Sequence, residues 1–429
     1  MNPRLLRTIA VALLALASAP AARAQVSFQT FVAVGDSLAA GYSSASLVET
    51  HQRNSVPAMI ARQAGVSGFE QPRITEPGIP AELRLVTLFP SPIIAPKSAA
   101  TGSPANLGLP RPYNNLAVPG ATSVDALTRL TDDQGFHSLI LRGLGTQVQQ
   151  AAALHPSFVL LWIGNNDVLA AAVRGRAIDG VTLTPTATFR VVYGQIVGAL
   201  QATGAQVVAA NLPDVTSIPF VTTLRPVVVD PSTGQPVTLN GQTVPLIGPE
   251  GPLTADTLVT IFASSLLAQG VGIPTALGGL GTPLPDQAIL DPGEQAIIRE
   301  HVATNNQSIR DICGAAGIPV VDVNGLLRDA ATTGLNVGGV RFTSAFLTGG
   351  IFSYDGVHPT ELGYALVANE WIRTINAAGG GVPPVNLEPF VFGAQARSVR
   401  AASARHAPFE LTQKAWDALL TVFPPVAGR

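Results

Sequence analysis

Hydrophobic positions along the chain follow two alternating rhythms. Five short apolar runs rich in β-branched residues, at 31–34, 115–118, 158–163, 206–210 and 318–323, read as buried strands. Between them lie segments with apolar residues at helical spacing, such as 190–202 and 293–315. Strands alternating with helices predict an α/β fold, a mainly parallel sheet covered on both faces.

Three stretches exceed a minimal domain of this kind. Residues 75–113 are dense in proline and glycine and read as a long surface loop, a class of segment that is often functional. Residues 215–291 carry short apolar runs at 227–229, 237–239 and 244–247, separated by the turn sequences Asp230-Pro231-Ser232-Thr233-Gly234 and Asn240-Gly241. This predicts a small inserted β-ribbon or cap. Residues 257–285 have no charged side chain and read either as a buried helix and loop or as an apolar wall beside an acyl pocket. From Gly379, the run Gly-Gly-Gly-Val-Pro-Pro resembles a linker, so 379–429 are expected to be a linker and tail, with helical spacing at 410–423. The main domain is expected to span 25–378.

Composition narrows the setting. Of 429 residues, 47% are apolar and 12% charged, which allows a large core, and a formal net charge of −2 gives no reason to expect nucleic acid as a partner. The N-terminus places Arg4 and Arg7 before an apolar stretch at 9–17 and the small-residue site Ala22-Arg23-Ala24. That pattern predicts a signal peptide over 1–24 and an exported protein, periplasmic or secreted; the apolar stretch falls short of the roughly 20 residues of a spanning helix. Cys313 is the single cysteine, so no intrachain disulfide is expected, and it lies too far from the cleavage site to carry a lipoprotein anchor.

The candidate chemistry sits at strand ends. The first strand runs into Gly35-Asp36-Ser37-Leu38, placing a serine where open α/β sheets bind ligands. A serine needs a base. Among six histidines, only His358 follows an acid by three positions, in Asp355-Gly356-Val357-His358-Pro359. That spacing lets the carboxylate reach Nδ1 and fix the tautomer. After the central run comes Gly164-Asn165-Asn166-Asp167, where an asparagine amide can donate to developing negative charge. Pro119-Gly120-Ala121 follows another strand and offers a backbone N–H. Taken singly, each is also a helix cap or turn; four in this order argue for a nucleophile, a base, an orienter and an oxyanion site.

The set resembles the GDSL/SGNH hydrolase family, over about 30–376. Its first block is similar to Gly35–Leu38, its second glycine to Gly120, its third block to Gly164–Asp167 and its last to Asp355–His358. The resemblance implies a flavodoxin-like three-layer α/β/α fold with a five-stranded, mainly parallel sheet. It implies Ser37 as nucleophile, His358 as base and then acid, and Asp355 as its orienter. The oxyanion hole would comprise the N–H groups of Ser37 and Gly120 and the side chain of Asn166. No metal- or nucleotide-binding pattern is present, and no cofactor is expected. An ester hydrolase acting through an acyl-enzyme is expected. The family also holds thioesterases and acyltransferases, and a silent lipid-binding protein on this fold would have lost a site residue. With only three Trp and five Tyr, the composition favours a small-molecule or lipid ester over carbohydrate O-acetyl groups, and leaves room for peripheral membrane contact by the tail. Acyl length, alcohol and oligomeric state are not written in these patterns.

Overall fold

Four of the expected strands form one parallel sheet in chain order: β1 (Phe31–Gly35), β2 (Phe158–Trp162), β3 (Gln206–Ala210) and β4 (Val320–Val321). Every residue of β1 and β2 is buried, as expected of strands covered on both faces. The computed structural model describes residues 25–87, 92–132, 135–392 and 409–422. The expected signal peptide, 1–24, lies outside them.

The fifth expected strand is not a regular one. Residues 114–118 run beside the free edge of β1, with Ala33 N–H donating to Asn114 O at 2.8 Å, Leu116 N–H to Ala33 O at 2.9 Å and Val118 N–H to Gly35 O at 3.1 Å. The Asn115 side chain diverts the local pattern, accepting from Ala117 N–H at 3.2 Å and donating to Ala39 O at 3.0 Å. The sheet therefore has four regular strands and a partial fifth. Counting that segment, the spatial order is 2-1-3-4-5, the flavodoxin-like order. The last strand is shorter than its apolar run because Pro319 precedes it and Asp322 caps the next helix, accepting from Gly325 N–H at 2.8 Å.

Helices cover both faces. α1 (Asn166–Arg174) follows β2, and α2 (Thr186–Gln201) packs against α3 (Pro292–Ala315) on one side. α3 starts where its sequence dictates: Asp291 caps it, Glu294 closes a capping box and Pro292 takes the first turn. Its buried stripe includes Ile298, Val302, Ile309 and Cys313. α4 (Glu361–Ala377) lies on the opposite side against the helix Val56–Gln63.

The insertions are structured. Within 75–113, strands Leu83–Thr87 and Ile93–Pro96 pair antiparallel, so the expected loop contains a hairpin. It is tied to the body through buried His51, which bridges Glu82 at 2.7 Å and Glu361, at the start of α4, at 2.9 Å. In 215–291, two short hairpins (Thr238–Leu239 with Gln242–Thr243, and Ile247–Gly248 with Gly251–Pro252) and an antiparallel pairing of Leu258–Val259 with Ile289–Leu290 accompany a small core of their own, including Val228, Leu246, Val259 and Leu284. Asn240 and Gly241 both take positive φ between Thr238–Leu239 and Gln242–Thr243, as a two-residue hairpin turn requires.

Beyond α4 the chain is not a free linker. Asn376 exchanges hydrogen bonds with Val382, and Asn369 with Val385. The later described segment adds strand Glu410–Leu411 to the hairpin, parallel to Ile93–Pro96, and ends in α5 (Gln413–Leu420). Trp416 stacks on Phe262 at 4.4 Å and on Phe220 at 6.1 Å between ring centroids. Among the described residues, no helix is long and apolar enough to cross a membrane.

Burial alone would hold His51 neutral, but the hydrogen bonds and charges of Glu361 and Glu82 outweigh it and raise its pKa from 6.5 to about 9. The folded chain therefore keeps a proton that the unfolded chain releases above 6.5. Stability should be fully supported by this group below pH 6.5 and fall as pH rises towards about 9. Urea denaturation across that range is expected to show the fall in the wild type and a flatter profile in His51→Gln.

Candidate active site

Strand ends create the site. Gly35 closes β1 with no room for a side chain, since a Cβ there would lie 2.6 Å from Trp162 O on the neighbouring strand. Asp36 then caps the short helix Ser37–Ala40, its Oδ1 accepting from Leu38 N–H at 3.1 Å. This turn brings Ser37 to the carboxyl edge of the sheet, 2% exposed.

The loop before α4 carries the other two residues. His358 Nε2 lies 2.9 Å from Ser37 Oγ, and His358 Nδ1 lies 2.9 Å from Asp355 Oδ2. Asp355 accepts from Nδ1–H, an assignment that follows from the carboxylate having no proton to give. Its Oδ1 also accepts from the N–H groups of Val357 and His358 at 2.9 and 2.8 Å and from Ser353 Oγ–H at 3.1 Å, while Oδ2 accepts from Ala45 N–H at 2.8 Å. Complete burial would raise its pKa, but the charge of His358 and these hydrogen bonds outweigh that and hold it below the ordinary carboxylate range. The Tyr42 ring packs 4.9 Å from the imidazole, centroid to centroid, limiting its rotation.

Gly120 and Asn166 lie at the ends of the two strand segments flanking β1. Among the described residues, the N–H groups of Ser37 and Gly120 make no hydrogen bond, the condition of donors kept free for a ligand. Gly120 has φ +81°, a conformation suited to glycine. The Asn166 amide nitrogen gives one hydrogen to Ala121 O at 2.9 Å and retains a second. All five residues singled out by sequence thus meet at one sheet edge.

The residues that bind these loops together were not singled out. Asn165 donates to Asp36 Oδ2 at 2.8 Å, joining the third block to the first. Asp167 accepts from Ser123 N–H at 2.8 Å and Ser123 Oγ–H at 2.7 Å, joining the third block to the Gly120 loop. The signal was present, three consecutive polar residues after an apolar strand, but capping explains such a run equally well. Of the remaining histidines, His51 and His137 are buried beside carboxylates, His155 is exposed, His301 lies 3.4 Å from Asp179, and His406 is outside the described residues.

A cavity of about 380 Å³ adjoins Gly120 and Asn166. It is lined from α1, residues 122–124 and 180–188, with Val422 at its edge. Ser37, Asp355 and His358 are not among its lining residues, and neither 75–113 nor 257–285 contributes to it. The inserted ribbon instead braces the histidine loop: Phe220 N–H donates to Gly356 O at 2.9 Å and Ile261 N–H to Phe220 O at 2.8 Å. The tail reaches the site too, because a Cβ at Gly120 would meet Val422 O at 2.9 Å.

The sequence model of the GDSL-like lipase/acylhydrolase family matches residues 31–371. Among solved structures, the chain is similar to the lipase/acylhydrolase from Enterococcus faecalis (14% identity, 83% of this chain and 98% of that one, TM-score 0.34). It is also similar to a psychrotrophic esterase from Pseudoalteromonas (12%, 81% and 97%, TM-score 0.34) and to an acetyl-xylooligosaccharide esterase from Geobacillus (11%, 84% and 97%, TM-score 0.36). No curated protein matches.

Burial raises the Asp36 pKa from 3.8 to about 7, against the opposing hydrogen bonds from Asn165 and Leu38. The folded chain then holds a proton that the unfolded chain loses near pH 4, so this group's contribution to stability is complete below that pH and declines up to about pH 7. Asp36→Asn keeps an acceptor for Leu38, and rotating the Asn165 amide turns its unpartnered Oδ1 to the new NH2 group. Denaturant titrations between pH 4 and 7 are expected to give a shallower slope in Asp36→Asn than in the wild type; equal slopes would mean that Asp36 is ionised throughout.

Proposed function

Because the chain belongs to the GDSL-like lipase/acylhydrolase family, we propose that it is a serine hydrolase that cleaves carboxylic esters through an acyl-enzyme on Ser37. The observation that carries this reading is the unbroken relay from Ser37 Oγ through His358 to Asp355, with both links at 2.9 Å.

Ser37 Oγ attacks the ester carbonyl as its proton passes to His358 Nε2. Asp355 stabilises the resulting imidazolium and holds the ring in register without taking the proton. Negative charge forming on the carbonyl oxygen is received by the free N–H groups of Ser37 and Gly120 and by the second hydrogen of the Asn166 amide. Collapse expels the alcohol, which leaves with the proton from His358. Water then gives a proton to His358 and attacks the acyl group, and Ser37 recovers its proton as the acid departs.

The substrate class proposed is a lipid or simple acyl ester. The cavity lies within the usual size range for small-molecule sites, and its lining combines Val124, Leu183 and Pro185 with threonine hydroxyls. Export, periplasmic or secreted, belongs to the same proposal and rests on the N-terminal charge and hydropathy pattern.

Turnover of p-nitrophenyl esters from acetate to palmitate, with fluorophosphonate labelling of Ser37, tests the reading. Ser37→Ala should lose both turnover and label; a wild type inert to every ester and unlabelled by the fluorophosphonate would overturn the proposal. Asp355→Asn should lower kcat by about 10⁴-fold, since an amide no longer fixes the required tautomer. Asn166→Ala should cost about 10²- to 10³-fold in kcat with a smaller change in KM, the pattern of a donor used mainly in the transition state.

A further inference from the structure

The cavity beside Gly120 follows one face of α1. Asn166, Ala170 and Arg174 recur at intervals of four residues along that helix, and all three line the cavity. It therefore extends from the oxyanion donors at the helix start to a guanidinium at its end, a run of about 12 Å along the helix axis. Leu183 and Pro185 are among its apolar lining residues.

Arg174 is half-buried, and among the described residues its Nε is sealed from solvent without a hydrogen-bond partner. The acids on adjoining segments are engaged elsewhere. Asp286 pairs with Arg176 at 3.2 Å, and Glu294 accepts from Ala177 N–H at 3.3 Å and Asp291 N–H at 3.2 Å. Asp179 lies 3.4 Å from His301. A cation in the last turn of a helix is favoured by the helix's negative end, but that is served as well by a solvated side chain. A guanidinium partly stripped of water and, among the described residues, left without a carboxylate is costly unless an incoming group completes it.

We propose that Arg174 receives an anionic group of the substrate, a carboxylate or a phosphate carried about one helix length from the scissile carbonyl, so that the preferred substrates are acidic amphiphilic esters. This rests on the esterase reading above. A planar guanidinium pairs with either anion in a two-pronged manner, and the apolar lining suits the methylene chain between the anion and the ester.

Calorimetric titration of the Ser37→Ala protein separates the pocket from the chemistry. The ligands are monomethyl suberate, methyl 8-phosphonooxyoctanoate and the neutral dimethyl suberate. At least one anion should bind about tenfold or more tightly than the neutral diester. Adding Arg174→Gln should abolish that preference and Arg174→Lys should restore part of it; the anion with the larger gain identifies the group. Equal binding of all three ligands, or a preference that survives Arg174→Gln, would overturn the proposal. In the active enzyme, the ratio of kcat/KM for mono-p-nitrophenyl suberate over p-nitrophenyl octanoate should fall at least about tenfold in Arg174→Gln. An unchanged ratio would also count against it. Wild-type turnover of p-nitrophenyl octanoate reads the esterase proposal alone: turnover without anion preference sinks only the Arg174 assignment, whereas anion binding with neither turnover nor Ser37 labelling sinks the esterase reading.

Discussion

The Asp355 carboxylate is the charge around which the site is organised. It is wholly buried, and a bare carboxylate there would shed its charge rather than remain dry. It stays ionised because backbone and side-chain donors from its own loop and from Ala45 converge on both oxygens. These bonds specify the local chain path. Ser44 and Ala45 take positive φ to present the Ala45 N–H, while Ser43 Oγ–H reaches Pro359 O and Ser44 N–H reaches Ser353 Oγ. One buried charge thus fixes the approach of two loops from opposite ends of the sequence.

A second convergence lies at the end of β2. Asn165, Asn166 and Asp167 are adjacent in sequence, yet their side chains reach Asp36, Ala121 and Ser123, so one turn holds both the nucleophile loop and the glycine loop. The parallel sheet makes this economical, because it delivers those loops to a common edge at a spacing of one strand. The inserted ribbon and the hairpin supplement it from outside, bracing the histidine loop and the start of α4.

The sequence was most legible where period and chemistry agreed. Apolar runs located the regular strands because buried parallel strands need apolar side chains on both faces, and helical spacing located α3. It was least legible where one residue overrides its neighbours. Asn115 diverts backbone bonding in a segment whose other residues favour a strand, and Pro319 with Asp322 trims the last strand to two residues. Ser37, Asp355 and His358 were nameable because their spacing carries their chemistry, and Gly120 and Asn166 because the blocks around them resemble those of a known family. Arg174 was not: a basic residue ending a helix is unremarkable until its depth beside a cavity is known. The Gly-Pro-rich stretches misled in another way, since turn residues show where a chain bends and not what it packs against. The glycine run after α4 is accordingly stitched down by two asparagines, and the tail supplies a strand and a helix.

The hydrogen bond between His358 and Ser37 joins positions 321 residues apart. Synthesis proceeds from the N-terminus, so a growing chain displays its serine long before the imidazole proposed to activate it exists. During that interval the serine is an ordinary weakly reactive alcohol. On the proposed mechanism, chemical competence consequently arrives as a late event in the life of each molecule, timed by the completion of the polypeptide, and prematurely terminated products lacking the last blocks carry a serine with nothing to arm it.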